Sequence, residues 1–167
     1  MSRRTWMMMA AGLVSVVSVG CASTPSGSTQ PKMTAEEAIA ARQKLMKAQG
    51  EAWKNIQDKT KAGDVAGVVP EAQKLVDTSQ QIPALFPEGS LGPTKTAAKP
   101  EIWQKWPDFE AAAKNLRAQS EKLRDTAKSG DPAATQAVVQ TFGRQACGTC
   151  HTPFRVPPPP QPQQPQR

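Results

Sequence analysis

The sequence predicts an all-α fold, an antiparallel four-helix bundle, on three observations. Apolar residues recur at helical spacing along four stretches, and no stretch alternates apolar and polar residues above noise. The links between three of these stretches are short, which favours antiparallel neighbours, and the longer second link can still join adjacent antiparallel helices. Ala, Lys and Gln are abundant, Tyr is absent and aromatic residues make up 5% of the chain, a composition that favours helix. The 167 residues, less a leader and two loose ends, leave one ordinary domain over residues 34–155.

Residues 1–21 read as an export signal. Arg3 and Arg4 form a positive start, and Trp6 to Gly20 is apolar and uncharged, short of the roughly 20 residues a membrane-spanning helix needs. Ser18-Val19-Gly20-Cys21 resembles a bacterial lipobox, with Ser18 where Leu is usual. Cys21 is therefore expected to be lipidated and to become the first residue. Ordinary cleavage after Ala22 is the alternative. Ser2-Arg3-Arg4 hints at a twin-arginine signal, a weaker reading. Residues 22–33 are rich in Ser, Thr, Gly and Pro and read as a flexible tether.

The first helix starts at Thr34, where Glu37 completes a capping box. Ile39, Met46 and Trp53 follow at seven-residue intervals, Leu45 and Ile56 fill the same stripe, and the helix ends by Gly63. Asp64 caps the second, whose stripe is Val65, Val68, Val69, Ala72, Leu75, Val76 and Ile82. Pro70 inside it predicts a kink or a late start. Residues 83–99 form a loop. Pro100 opens the third helix, Pro107 interrupts its first turns, and Ile102, Trp106, Phe109, Ala113, Leu116, Leu123 and Ala127 make its stripe. Gly130 stops it, and Asp131-Pro132 restarts the chain as cap and first helical residue. The fourth helix carries Ala134, Val138, Val139, Phe142 and Ala146. Residues 156–167 are Pro/Gln-rich and read as a disordered tail.

That fourth helix runs into Cys147-Gly148-Thr149-Cys150-His151. C-x-x-C-H is the attachment signature of a c-type haem. Two thiols can add to the porphyrin vinyl groups and the imidazole can bind the iron. Spacings of three and four place all three side chains on one helical face. A thioredoxin-like disulfide would want a strand before the motif, and none is patterned here. A zinc site wants a fourth ligand, and the chain has no other His. The third cysteine, Cys21, sits in the leader, so no disulfide scaffold is expected.

The formal charge is +7, falling to +5 without Arg3 and Arg4. Basic residues are interspersed with acidic ones and no aromatic stacking platform appears, which argues against nucleic-acid binding. The excess fits a solvated helix face better than a dedicated patch for an acidic redox partner.

Taken together, the residues from Thr34 to Arg155 resemble the class II c-type cytochromes, the cytochrome c′ family. Three blocks carry the resemblance: Cys147 to Arg155, with the motif on the last helix followed by an aromatic and a basic residue; Arg42-Gln43-Lys44-Leu45-Met46-Lys47; and Leu85-Phe86-Pro87-Glu88-Gly89-Ser90 followed by Lys99-Pro100-Glu101-Ile102-Trp103. Pro153 departs from the family's usual polar residue and would end the last helix soon after the His. The resemblance implies one haem c bound through Cys147 and Cys150 near the C-terminal helix of a four-helix bundle, with His151 as axial ligand. It places Arg42 and Gln43 on the haem propionates, Arg155 near the proximal face, and Thr96 and Glu101 near the haem edge.

Met46 separates two functions within that resemblance. In low-spin members a Met at this position is the second axial ligand, which suits electron transfer. In high-spin members the residue there only blocks the site, and NO or CO can reach a five-coordinate iron. Leu45-Met46-Lys47 resembles the low-spin pattern more closely. The expected function is a periplasmic monohaem electron carrier, not an enzyme, since no distal His is available. Gas binding is the alternative, and a non-haem helical interaction protein would require an idle motif. Redox proteins are the expected partners, and homodimerisation through the first two helices is a feature of many relatives.

Overall fold

The computed structural model describes residues 33–92 and 96–158. The expected leader, the lipidation site at Cys21, the tether as far as Lys32 and the tail from residue 159 lie outside the described residues.

Four helical runs form the bundle: α1 (Ala35–Lys61), α2 (Val65–Ser79), α4 (Trp106–Lys128) and α5 (Pro132–Phe142). A single turn, α3 (Glu101–Gln104), precedes α4, and a short helix, α6 (Gly148–Phe154), extends α5 beyond a turn of π-helix at Gly143–Cys147. The pairs α1–α2, α2–α4, α4–α5 and α1–α5 pack together. That cyclic order closes the bundle around one core. No strand occurs among the described residues, only an isolated bridge between Ala98 and Arg155.

Local chemistry explains the helix ends. Thr34 N–H donates to Glu37 Oε2 at 2.8 Å, and Glu37 N–H donates to Thr34 Oγ1 at 3.2 Å, so the reciprocal box satisfies two donors that a helix start leaves unpaired. Asp64 Oδ1 accepts from Gly67 N–H at 2.8 Å. A Cβ on Gly67 would crowd the Asp64 carboxylate, which would have to shift from its present position. Pro70 lies inside α2, yet the helix begins at Val65; the late start does not occur. Lys105 breaks the run between α3 and α4, leaving Pro107 in the first turn of α4, where it costs no hydrogen bond. Gly130 takes φ 76° after α4, and Asp131 Oδ1 then accepts from Ala133 and Ala134 at 2.9 and 3.1 Å.

The core joins Ile56, Val68, Leu75, Ile102, Phe109, Leu123 and Phe142. Each fully buried side chain of this kind contributes about 1.5–3 kcal/mol by leaving water. Phe109 is its aromatic hub, with ring centroids 4.8 Å from Phe86, 5.4 Å from Trp106 and 5.5 Å from Phe154. On α5 Thr135 and Phe142 are buried, while Val138 and Val139 are half-buried. The Thr135 hydroxyl donates to the Asp131 carbonyl at 2.8 Å, so its burial leaves no donor unmet. Met46 and Trp53, expected on the buried stripe, are only half-buried, because each faces open space described below. No helix among the described residues is long and apolar enough to cross a membrane.

Candidate functional site

The site begins with the turn that delivers Cys147. Between Phe142 and Gly148 the backbone widens to π geometry, and Gly148 N–H donates to the Gly143 carbonyl five residues back. Such a turn inserts a residue into a helix and needs outside support for its displaced carbonyls. Asn115 on α4 supplies it. Its Nδ2 donates to the Gln145 carbonyl at 2.6 Å and to Thr149 Oγ1 at 3.2 Å, and Thr149 Oγ1 donates to the Ala146 carbonyl at 2.8 Å. Nothing in the sequence marks Asn115; an amide among the charged residues of a helix has no signature.

Beyond the turn, Cys147 and Cys150 are half-buried free thiols packed against the core. Burial raises both above the usual thiol range, Cys150 to about 11, with Cys147 adding to the Cys150 shift. Both are therefore protonated at neutral pH. The protein around His151 desolvates its imidazole and pushes its pKa down, and Arg155 adds to the shift. A neutral imidazole keeps a lone pair for a metal. The helix ends one residue past Pro153. Lys99 N–H then donates to the Phe154 carbonyl at 3.0 Å and Val156 N–H to the Ala97 carbonyl at 2.8 Å, which ties the chain after His151 to the loop before α3.

Two cavities with four lining residues in common open beside this segment. One of about 490 Å³ is lined by Arg42, Gln43, Met46, Thr96, Cys150, His151 and Arg155 over an apolar wall of Ile82, Phe86, Ile102, Phe109 and Phe154. The other, about 360 Å³, shares Met46, Ile82, Cys150 and His151 with the first and extends to Cys147, Trp53 and Leu75. Eight of the nine residues expected at or near the site thus line this space; Glu101 does not. Its neighbour Ile102 does, while the Glu101 carbonyl caps α3 by accepting from Lys105 N–H at 2.9 Å.

Arg42 is the electrostatic anomaly. It is 4% exposed. One terminal nitrogen donates to Ser90 Oγ at 3.1 Å; the other donates to the Ser90 carbonyl at 2.6 Å and to Thr96 Oγ1 at 3.2 Å. The guanidinium carbon lies 4.8 Å from the Phe86 ring centroid. Among the described residues no carboxylate pairs with it and Nε has no partner, and burial lowers its pKa. A buried cation without an anion is costly. Arg42, with this unpartnered Nε, belongs to the lining of a cavity that also holds Cys150 and His151. A flat apolar group carrying carboxylates, two thioether positions and a metal wanting a neutral nitrogen fits these residues.

The family model for cytochrome c′ matches residues 37–155. The chain belongs to the cytochrome c′ family. Cytochrome c′ of Rhodospirillum rubrum is 35% identical over 85 residues, an alignment spanning 51% of this chain and 57% of that protein. The solved cytochrome c′ of Rhodopseudomonas palustris is 32% identical with a TM-score of 0.64, covering 72% of this chain and 96% of that one. A cytochrome c′ structure with ligand-controlled dimer dissociation is 25% identical with a TM-score of 0.68, covering 74% of this chain and 98% of that one. The family binds covalent haem c, and the spacing of Cys147 and Cys150 on the last helical segment fits that cofactor.

Proposed function

We propose that this chain is an exported electron carrier holding one haem c. The observation that carries the reading is the buried Arg42 with no anion of its own, lining the same cavity as Cys150 and His151. When bound, haem c supplies a one-electron couple at its iron. Cys147 and Cys150 would hold it as thioethers, each S–H adding across one vinyl group with its hydrogen passing to the vinyl carbon. His151 would offer a neutral imidazole nitrogen to the metal. Arg42 would set its guanidinium charge beside a propionate while Ser90 and Thr96 hold its terminal nitrogens, and Gln43 lines the same cavity. Thr96 thus serves the anion through Arg42. The apolar wall excludes water, which limits reorganisation around a changing charge. Met46 lines both cavities and brings a thioether that needs no deprotonation to bind a metal.

A second reading has its own observation. The cavity continues past Met46 towards Trp53 and Leu75, and an unbranched Met side chain can swing aside. Met46 would then guard a pocket for NO or CO, and the ligand-controlled dimer dissociation of the relative at 25% identity makes dimerisation of this chain through α1 and α2 part of that reading. The reduced optical spectrum separates the two. Sharp low-spin bands unchanged by CO, converted to a CO-responsive high-spin spectrum by Met46→Ala, are expected for the carrier. A wild-type spectrum that CO alters overturns Met46 ligation. Absence of a pyridine haemochrome from exported protein overturns both. Export to the periplasm and lipidation at Cys21 rest on the leader sequence, and membrane retention that survives Cys21→Ala would overturn the anchor.

A further inference from the structure

A third concavity, about 410 Å³, lies on the outside of the bundle between α1 and α5 and is lined by Gln57, Thr60, Lys61, Gln136, Gln140 and Arg144 around Trp53, Val139 and Gly143. No acidic residue lines it. Lys61 and Arg144 are exposed, and neither forms an ion pair among the described residues. Asp58, which feels Lys61, is already held by Lys54. The groove therefore presents two free cations among three amides and a hydroxyl.

Its floor is what separates it from an ordinary basic surface. Trp53 and Gly143 line this groove and also the inner cavity that holds Cys147, Cys150 and His151. Trp53 is thus the side chain common to the outer groove and the cofactor space. Its ring stacks on Phe142 at 4.9 Å between centroids, with planes 23° apart, which fixes its orientation. A Cβ on Gly143 would stand 3.9 Å from Trp53 Cζ2, so glycine leaves that ring edge bare.

We infer that this groove is the docking face for the acidic surface of a redox partner, with Trp53 as the side chain through which the electron crosses. The inference rests on the electron-carrier reading. In the exchange one electron leaves the ferrous haem and enters the oxidised partner, the iron becomes ferric, and no proton or covalent bond is transferred. Tunnelling falls exponentially with distance, and a partner seated on this groove has a short path through Trp53 to the cofactor space. Paired opposite charges steer encounter and set register.

The test uses holoprotein and two hexacyanide probes. Redox-inert hexacyanochromate(III) should broaden the amide NMR signals of Gln57, Lys61, Gln140, Gly143 and Arg144, and poly-L-glutamate should displace it. Lys61→Glu/Arg144→Glu should abolish the broadening and slow oxidation by hexacyanoferrate(III) about fivefold or more at low salt, whereas Lys105→Glu/Lys122→Glu, the same charge change elsewhere, should slow it less than about twofold. Trp53→Leu should slow oxidation while leaving the broadening intact, and Trp53→Phe should restore part of the rate. Equal slowing by the two charge pairs, or probe binding that poly-L-glutamate does not displace (an adventitious ion only), overturns the docking face. Wild-type holoprotein that exchanges no electron with hexacyanoferrate overturns the carrier reading beneath it.

Discussion

Two corners hold the cofactor cavity, and they are built on opposite principles. At one, Arg42 from α1 reaches Ser90 and Thr96 in the loop before α3 and is buried with a charge that nothing neutralises. At the other, Asn115 from α4 reaches Gln145 and Thr149 with neutral hydrogen bonds at an exposed edge. The first corner is incomplete without an anion. The second is complete as it stands. A site can therefore hold its cofactor by strain that the cofactor relieves at one end and by a rigid seat at the other.

Phe109 offers the hardest test, because its ring touches Phe86 beneath Arg42 and Phe154 beyond the motif. Phe109→Ala should cost about 3–5 kcal/mol of unfolding free energy. The loss should be alike with haem and in a Cys147→Ala/Cys150→Ala chain that cannot attach it, measured by urea titration. A loss confined to the haem-bound form would show that the corners are not joined through this ring.

Arg42→Met sharpens the contrast because its sign should reverse. With haem bound it should destabilise by about 3 kcal/mol, since a propionate loses its cation. In the haem-free variant it should be neutral or stabilising, because an unpaired buried charge is removed. Equal destabilisation in both would mean that the Ser90 and Thr96 bonds, not the missing anion, dominate that corner.

Asn115→Ala should cost about 1 kcal/mol in both forms, the ordinary value of a lost hydrogen-bond donor. Its cycle with Thr149→Val should be non-additive, since the two share one bond. Thr34→Ala, far from both corners, should cost at most about 1 kcal/mol and leave the optical spectrum unchanged. The Thr34 backbone and side-chain hydrogen bonds hold the Glu37 carboxylate below its ordinary range. Its contribution should thus be present above the unfolded carboxylate pKa and disappear as pH falls through the lowered folded value.

The same contrast separates what was legible in the residues from what was not. Thr34 with Glu37, Asp64, Gly130 and Asp131-Pro132 act within three or four residues, so their geometry could be read along the chain. C-x-x-C-H is equally local. The block around Arg42 marked a residue for the propionates, but its partners Ser90 and Thr96 lie 48 and 54 residues away, and no pattern joins them. The π turn at Gly143–Cys147 was invisible because its residues are as compatible with α-helix. Glu101 was expected at the haem edge on its block alone; the short turn of α3 puts Ile102 on the wall instead. Pro70 suggested a delayed helix, but Asp64 capping Gly67 starts α2 six residues ahead of it.

The π turn sets the phase of everything after it. Each residue of an α-helix advances the side chains by about 100°. One residue removed from Gly143–Cys147 would let the backbone close into continuous α-helix, and Cys147, Cys150 and His151 would turn together by that angle relative to α5. The motif would keep its spacing and lose its cavity. The aim of the haem-binding residues into the bundle is thus stored in a single surplus residue upstream of them, as the offset of a key cut is stored in its shoulder.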